Sequence, residues 1–283
     1  MATDNLRQLE ALMNRLERKR AASQRPADIS ARTPKTLSTT LNAADKIERH
    51  LRADGHRIWG FVVYRCTYTS DTAWDLCIER IHASVRKSMD IYNGHDMLRE
   101  GCFRLTVISD ASTLDGASTQ IVRRQFKEWC ARMLHEEQGS QEEIQTRQQQ
   151  ASPWDRGWPV RYGFCIQIDE ASMRSIISDE DEPWVNIIKG DWKPREVARQ
   201  QQQQLTGSGW TMEIPGGRNE DEGEFTDDEG DREYPPVEGC TEEDVGWMKV
   251  RLVGLMTGLY TNLRDPDYWD VPYTRPPDIV PMY

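Results

Sequence analysis

The apolar pattern of this chain changes period once between Ile58 and Met89, and that change commits it to a strand feeding a helix. Ile58 to Tyr68 reads IWGFVVYRCTY, a run of β-branched and aromatic residues with few charges, as expected of a buried strand. From Trp74 the apolar residues recur every third or fourth position instead, at Ile78, Ile81, Val85 and Met89, while Glu79, Arg80, Arg86 and Lys87 fill the gaps. A helical turn of 3.6 residues puts these two sets on opposite faces. Ser70 or Asp71 supplies the N-cap. An amphipathic helix behind a buried strand needs a sheet to pack on, so the fold is built around one.

The same alternation continues. CFRLTVISD at 102 to 110 reads as a strand, LDGAS as a turn, and Val122, Phe126, Trp129 and Met133 as the inner face of a second helix. Glu136 to Ser152 turns to Gln and Glu, which suits a frayed helix end or a loop. Val160, Tyr162, Phe164, Ile166 and Ile168 then alternate with Arg161, Gly163, Cys165 and Gln167, the cleanest period of two in the chain. A short helix from Glu170 to Ile177 and a fourth strand in WVNIIKGDW at 184 to 192 follow. Near the C-terminus, Thr241 and Asp244 resemble a capping box, and Val245, Met248, Leu252, Leu255, Leu259 and Leu263 form a stripe that predicts a long helix. The expectation is a single α+β domain, a sheet of about four strands with helices chiefly on one face, in the order β-α-β-α-β-β-α.

Four regions flank or compose that domain. Residues 1–57 read as an N-terminal arm and linker: Leu6, Leu9, Met13 and Leu16 make a short amphipathic helix ending in bases, Ala21 to Thr40 is a linker, and a second short helix runs from Leu41 to Arg52. Residues 58–193 are the core. Residues 194–240 are a low-complexity acidic insertion, expected to be disordered, and 241–283 a C-terminal helix and tail packed on the core. Glu220 to Asp244 holds 13 acidic residues against one base, so its net −12 exceeds the −11 of all 283 residues and the rest of the chain sums to +1. The acidity therefore describes a segment and not the surface of the fold. Mean hydropathy is −0.76, yet ten Trp, nine Tyr and five Phe give the apolar blocks enough area to make a core.

Several functions find no support in the residues. No stretch approaches the roughly 20 apolar residues of a membrane span, and the N-terminus lacks the apolar region of a signal peptide, so an intracellular, cytoplasmic or nuclear location is expected. The six cysteines are scattered, without C-x-x-C or a histidine at ligand spacing, and read as small buried hydrophobes with no metal site. The five histidines read as surface residues, no two at i, i+4. Phosphate loops, G-x-S-x-G, H-E-x-x-H and kinase signatures are absent, so no cofactor and no catalytic residue is assigned. Residues 1–57 carry +5 without interleaved aromatics, which disfavours nucleic acid.

Some residues retain a functional alternative. Arg65 between Tyr64 and Tyr68 reads as a cation paired to Asp71 or Asp110, or else as an anion clamp with aromatic stacking. Asp110, Asp115, Asp169 and Glu170 end strands and read as turn formers and caps, or else as acid-base pairs at one rim. Thr226 before Asp227, Asp228 and Glu229 is a candidate phosphorylation site.

The blocks WGFVVYRCTY, LDGAS, YGFCIQIDEASMRSII, WVNIIKGDW, EGCTEEDVGWMKV and YWDVPYTRPPDIV resemble a family of filamentous-fungal proteins over most of residues 58 to 280. The resemblance implies an architecture and an intracellular origin, and brings no activity, cofactor or catalytic residue with it. The expected function is a non-enzymatic interaction or accessory protein, recruiting a protein partner through the N-terminal helix or the acidic tract. The alternative is a small-molecule binder or enzyme accessory to fungal metabolism, with Tyr64, Arg65, Asp115 and Trp192 at a sheet-end pocket.

Overall fold

The computed structural model describes residues 29–32, 37–149, 157–178, 182–195 and 234–281. In chain order its elements are α1 (Ala43–Asp54), β1 (Val62–Arg65), α2 (Asp71–Ile91), β2 (Thr106–Ile108), α3 (Ala111–Leu114), α4 (Thr119–Gln138), α5 (Gln141–Gln148), α6 (Val160–Gly163), β3 (Phe164–Ile168), α7 (Glu170–Ile177), β4 (Trp184–Lys189), β5 (Trp247–Arg251) and α8 (Tyr260–Asn262). The strands form one mixed sheet in the order β2-β1-β3-β4-β5. β1 lies parallel to both β2 and β3, while β4 runs antiparallel to β3 and to β5. The fold is α+β, with five strands where about four are expected.

Side chains alternate across the sheet and feed two cores. On one face Val63, Ile166, Val185, Ile187, Met248 and Val250 meet Trp74, Cys77, Ile81, Val85 and Met89 of α2, Ile47 of α1, Met173 and Ile176 of α7, and Leu255 and Leu259. On the other face Val62, Tyr64, Cys165 and Ile188 meet Val122, Phe126 and Trp129 of α4. Helices thus cover both faces, the first more fully than the second. The reason is topological: the β1-α2-β2 crossover passes on one side of β1, and the return from β2 to β3 carries α4 across the other. Ser70 caps α2 through Ala73 N, and Ser118 caps α4 through Ile121 N, each filling an amide left open at a helix start.

The chain departs from its own periodicity in four places. Helix α1 stands where a short helix from Leu41 to Arg52 is expected, but it belongs to the core and not to an arm: Ala44 and Ile47 are fully buried in the main core, and Asn42 caps it through Ala44 N and Asp45 N. The segment expected to fray after Glu136 restarts as α5, because Ser140 and Glu143 form a capping box. The alternation at 160–168 divides into one helical turn, α6, and a strand whose five residues are all buried; with helices on both faces there is no solvent side for its polar half to occupy.

The fourth departure is a correction. The helix expected from Thr241 is instead strand β5, followed by a π-helical turn at Leu255–Leu259 and the short α8. All six residues of the supposed stripe are buried, but Met248 and Val250 alternate inward against Trp247, Lys249 and Arg251, a period of two that pairs with β4. Gly246 and Gly254 have φ of 72° and 79°, left-handed values that a helix running through them would forbid, and they bracket the strand. The tail packs on the core as expected: Trp269 and Val280 are buried, and Val280 N donates to Lys249 O.

Of the acidic insertion, 196–233 with Thr226 and the amphipathic arm at 1–28 lie outside the described residues. Its last part, Tyr234 to Cys240, is folded: Val237 and Cys240 bond each other's backbone, and Glu238 accepts from Thr119 N at 3.1 Å at the start of α4. The carboxylate sits where the helix dipole favours it.

Candidate functional site

The four residues of the expected sheet-end pocket do not share a cavity among the described residues. Tyr64 and Arg65 are neighbours on β1 and so point to opposite faces. Tyr64 is fully buried beside Phe126, and its hydroxyl finds no hydrogen-bond partner. Burial pushes its ionisation far above the usual phenol range. Arg65 lies under Tyr68 and Trp74, its carbon Cζ 4.4 Å and 5.0 Å from their ring centres, and donates to Asp71 at 2.6 Å and to Thr67 O at 2.9 Å. Arg65 is buried while Asp71 is exposed, so the pair closes the edge of the core toward solvent. Asp115 is exposed and ends α3. Trp192 stands beyond β4, its ring 4.7 Å from Arg123 Cζ, in an open depression of about 470 Å³ with Lys193, Glu242, Asp270 and Tyr273.

The carboxyl ends of β1, β2 and β3 lie along one rim, where open α/β sheets commonly place ligands. The carboxylates there are engaged locally. Asp110 accepts from Ser112 N and from the Ser112 and Thr113 hydroxyls, which holds its carboxyl below the usual range. Asp169 caps α7 and accepts from Asn186 at 2.9 Å. Glu170 accepts from Thr67, Thr69 and Arg174, and those hydroxyls lower its pKa first.

A dense polar assembly stands at the opposite end of the sheet, where the chain enters β1 and β3. A cavity of about 20 Å³ is walled there by Ile47, Ile58, Trp59 and Val160, with His50, Asp54, His56, Arg161, Tyr260 and Arg264 among its polar lining. That volume holds about one water molecule. Arg264, from the C-terminal segment, binds Asp54 of α1 across 210 residues of sequence. Burial raises the Asp54 carboxyl, and Arg264 only partly offsets it. Arg161 is 1% exposed. It forms a two-pronged contact to Glu137, Nε to Oε2 at 2.7 Å and Nη2 to Oε1 at 2.6 Å, and also donates to Gly60 O, Arg104 O and Thr106 Oγ1. Burial alone would lower its pKa, but the Glu137 carboxylate more than compensates and keeps it charged. Tyr162 also donates to Glu137 at 2.9 Å. Gln138 donates to Tyr162 and accepts from Arg57 N.

Two histidines complete the lining, where surface histidines are expected. Burial, then the positive charge of Arg264, depresses His50 to about 3 and His56 to about 4. Both are therefore neutral at ordinary pH. The His56 ring meets Tyr162 edge-on at 5.5 Å. Outside this cavity an open groove of about 450 Å³ shares Leu51 and His56 with it and runs past Arg52, Arg57, Arg99 and Cys102.

Chemically, the assembly brings two neutral imidazoles, two paired guanidiniums and the Asp54 carboxylate around the space of one water, with Glu137 behind Arg161. It can bridge polar groups through that water; its charged groups are paired with one another, and His56 alone of its two imidazoles also borders the open groove. Among the described residues no cluster of three His, Cys, Asp or Glu side chains could hold a metal ion, and no helix is long and apolar enough to cross a membrane. The free cysteines are mostly buried; Cys66 and Cys77 are pushed up to about 12 by desolvation, which suppresses the thiolate. No family model matches the chain, and neither does any curated protein or solved structure.

Proposed function

We propose that the chain is a non-enzymatic, intracellular interaction or accessory protein, in which a rigid α+β core presents its polar segments to a protein partner. One observation carries this reading. The charged residues that most resemble a catalytic set, Asp54, Glu137, Arg161 and Arg264, are spent on contacts with one another and with the backbone, and the cavity beside them measures about 20 Å³. An active site needs unsatisfied groups beside room for a substrate, and here the pairing serves to tie α1, α4, α6 and the C-terminal segment together. Residues 1–28 and the acidic tract are the proposed contact points, their composition being that of segments that order on binding.

The test compares the full chain with one lacking residues 1–28 and one lacking 220–233, each used to recover partners from its own cells. Loss of a defined partner by either deletion, with unchanged thermal stability, supports the reading. Identical partners from all three chains would count against both segments. A small molecule retained stoichiometrically by all three would favour the binder instead.

A further inference from the structure

The edge of the sheet at β2 carries features that fit a second copy of the same edge. Arg104 N and Thr106 N donate to Trp59 O and Phe61 O, and β2 pairs with β1 in the register Thr106 to Val62 and Ile108 to Tyr64. In a parallel ladder this points the backbone groups of the even residues toward β1 and those of Leu105, Val107 and Ser109 outward. No described residue pairs with that outer side. Leu105 to Ser109 contains no charge and no proline, and Val107 is 37% exposed. Open edges of this kind invite another strand and are usually blunted by lysine, proline or a bulge. At the other edge this chain does cover β5, by the bridge of Lys249 to Ile279.

The flanks of the β2 edge are charged with opposite sign. Arg104 has a half-exposed side chain, one of whose N–H groups donates to Glu137 at 3.2 Å; Asp110 is exposed. An antiparallel pairing of two copies centred on Val107 brings Arg104 of each against Asp110 of the other, Leu105 against Ser109, and Thr106 against Ile108. Arg104 and Asp110 then form a non-hydrogen-bonded pair, the closer of the two antiparallel classes, on one face of the sheet. Val107 bonds its own counterpart on the two-fold axis, so every outward amide and carbonyl from Leu105 to Ser109 is satisfied. The pattern is self-complementary, as an isologous interface requires.

We propose that the protein forms a two-fold dimer by antiparallel addition of β2 to β2, joining two five-stranded sheets into one. The test is sedimentation velocity on the full chain over a micromolar dilution series. The expected result is a dimer that dissociates on dilution. Val107→Lys opposes two ammonium groups at the axis and is expected to weaken the dimer about tenfold or more, with the monomer's circular dichroism unchanged. Arg104→Glu and Asp110→Lys are each expected to be monomeric alone, and an equimolar mixture to dimerise, because only the mixed pair restores both opposite-charge contacts. Since these two also touch Glu137 and the α3 cap, Val107→Lys keeps the test independent of folding. A wild-type chain that stays monomeric throughout would overturn the proposal. So would a dimer indifferent to Val107→Lys, or amides of Leu105 and Val107 protected from exchange in the monomer, which would place another segment of the chain on this edge.

Discussion

Removing Glu137 should cost more stability than removing any exposed charge, because it leaves a cation buried without its partner. Glu137 accepts four hydrogen bonds: two from Arg161, one from Tyr162 at 2.9 Å and one from Arg104 at 3.2 Å. In Glu137→Ala, Arg161 keeps its bonds to Gly60 O, Arg104 O and Thr106 Oγ1, so it stays held in the interior but uncompensated. Breaking a buried pair in this way costs about 3–5 kcal/mol, and the adjoining water-sized cavity pulls the figure toward about 3. For a chain of this size that corresponds to a fall in Tm of roughly 6 to 12 °C. Urea unfolding followed by circular dichroism measures it directly. The companion Glu137→Ala with Arg161→Met removes both charges and should be less destabilised than Glu137→Ala alone, the sign of a coupled pair. A cost below about 1 kcal/mol for Glu137→Ala would refute the reasoning, since surface ion pairs behave that way.

Asp54→Ala should likewise cost about 3 kcal/mol by stranding Arg264, with the largest rise in amide exchange in α1, measured by hydrogen exchange and mass spectrometry. Because His50 and His56 sit at about 3 and about 4 in the fold, against about 6.5 when unfolded, the unfolded chain binds more protons below pH 6.5. Stability should therefore be full above that value and fall as the pH drops toward 4; His50→Phe with His56→Phe should flatten the slope of the urea midpoint between pH 7 and pH 5. Val250→Ala distinguishes strand from helix at the C-terminus. Val250 lies off the helical stripe but is fully buried in β5, so the loss of two methyl groups should cost about 2 kcal/mol, whereas a helix would leave it exposed and the change nearly neutral.

The β-α unit at Ile58 to Met89 is readable because its two periods are each unmixed, and Ser70 marks the change. The C-terminal stripe is not, because spacings of three and four residues satisfy a helix while the same residues can be buried from a strand (Met248), a π-helical turn (Leu255, Leu259) and the connections around them (Val245, Leu252, Leu263). The signal against a helix was present in Gly246, Gly254 and Gly258 and in the alternation of Trp247 to Arg251. Arg161 was hidden for a different reason: an arginine at the polar phase of an alternating run reads as solvent-facing until Glu137, 24 residues away, is known to stand behind it. The Asp54 to Arg264 pair, 210 residues apart, has no sequence signature at all. Tyr64 and Arg65, by contrast, could be separated from the sequence, since adjacent residues on a strand cannot face one pocket.

Native mass spectrometry of the full chain purified gently from its own cells tests the proposed function most directly. The account predicts the chain's mass, or twice that mass, in complex with a different polypeptide. A chain carrying instead one tightly held small molecule, and no other protein, would contradict it.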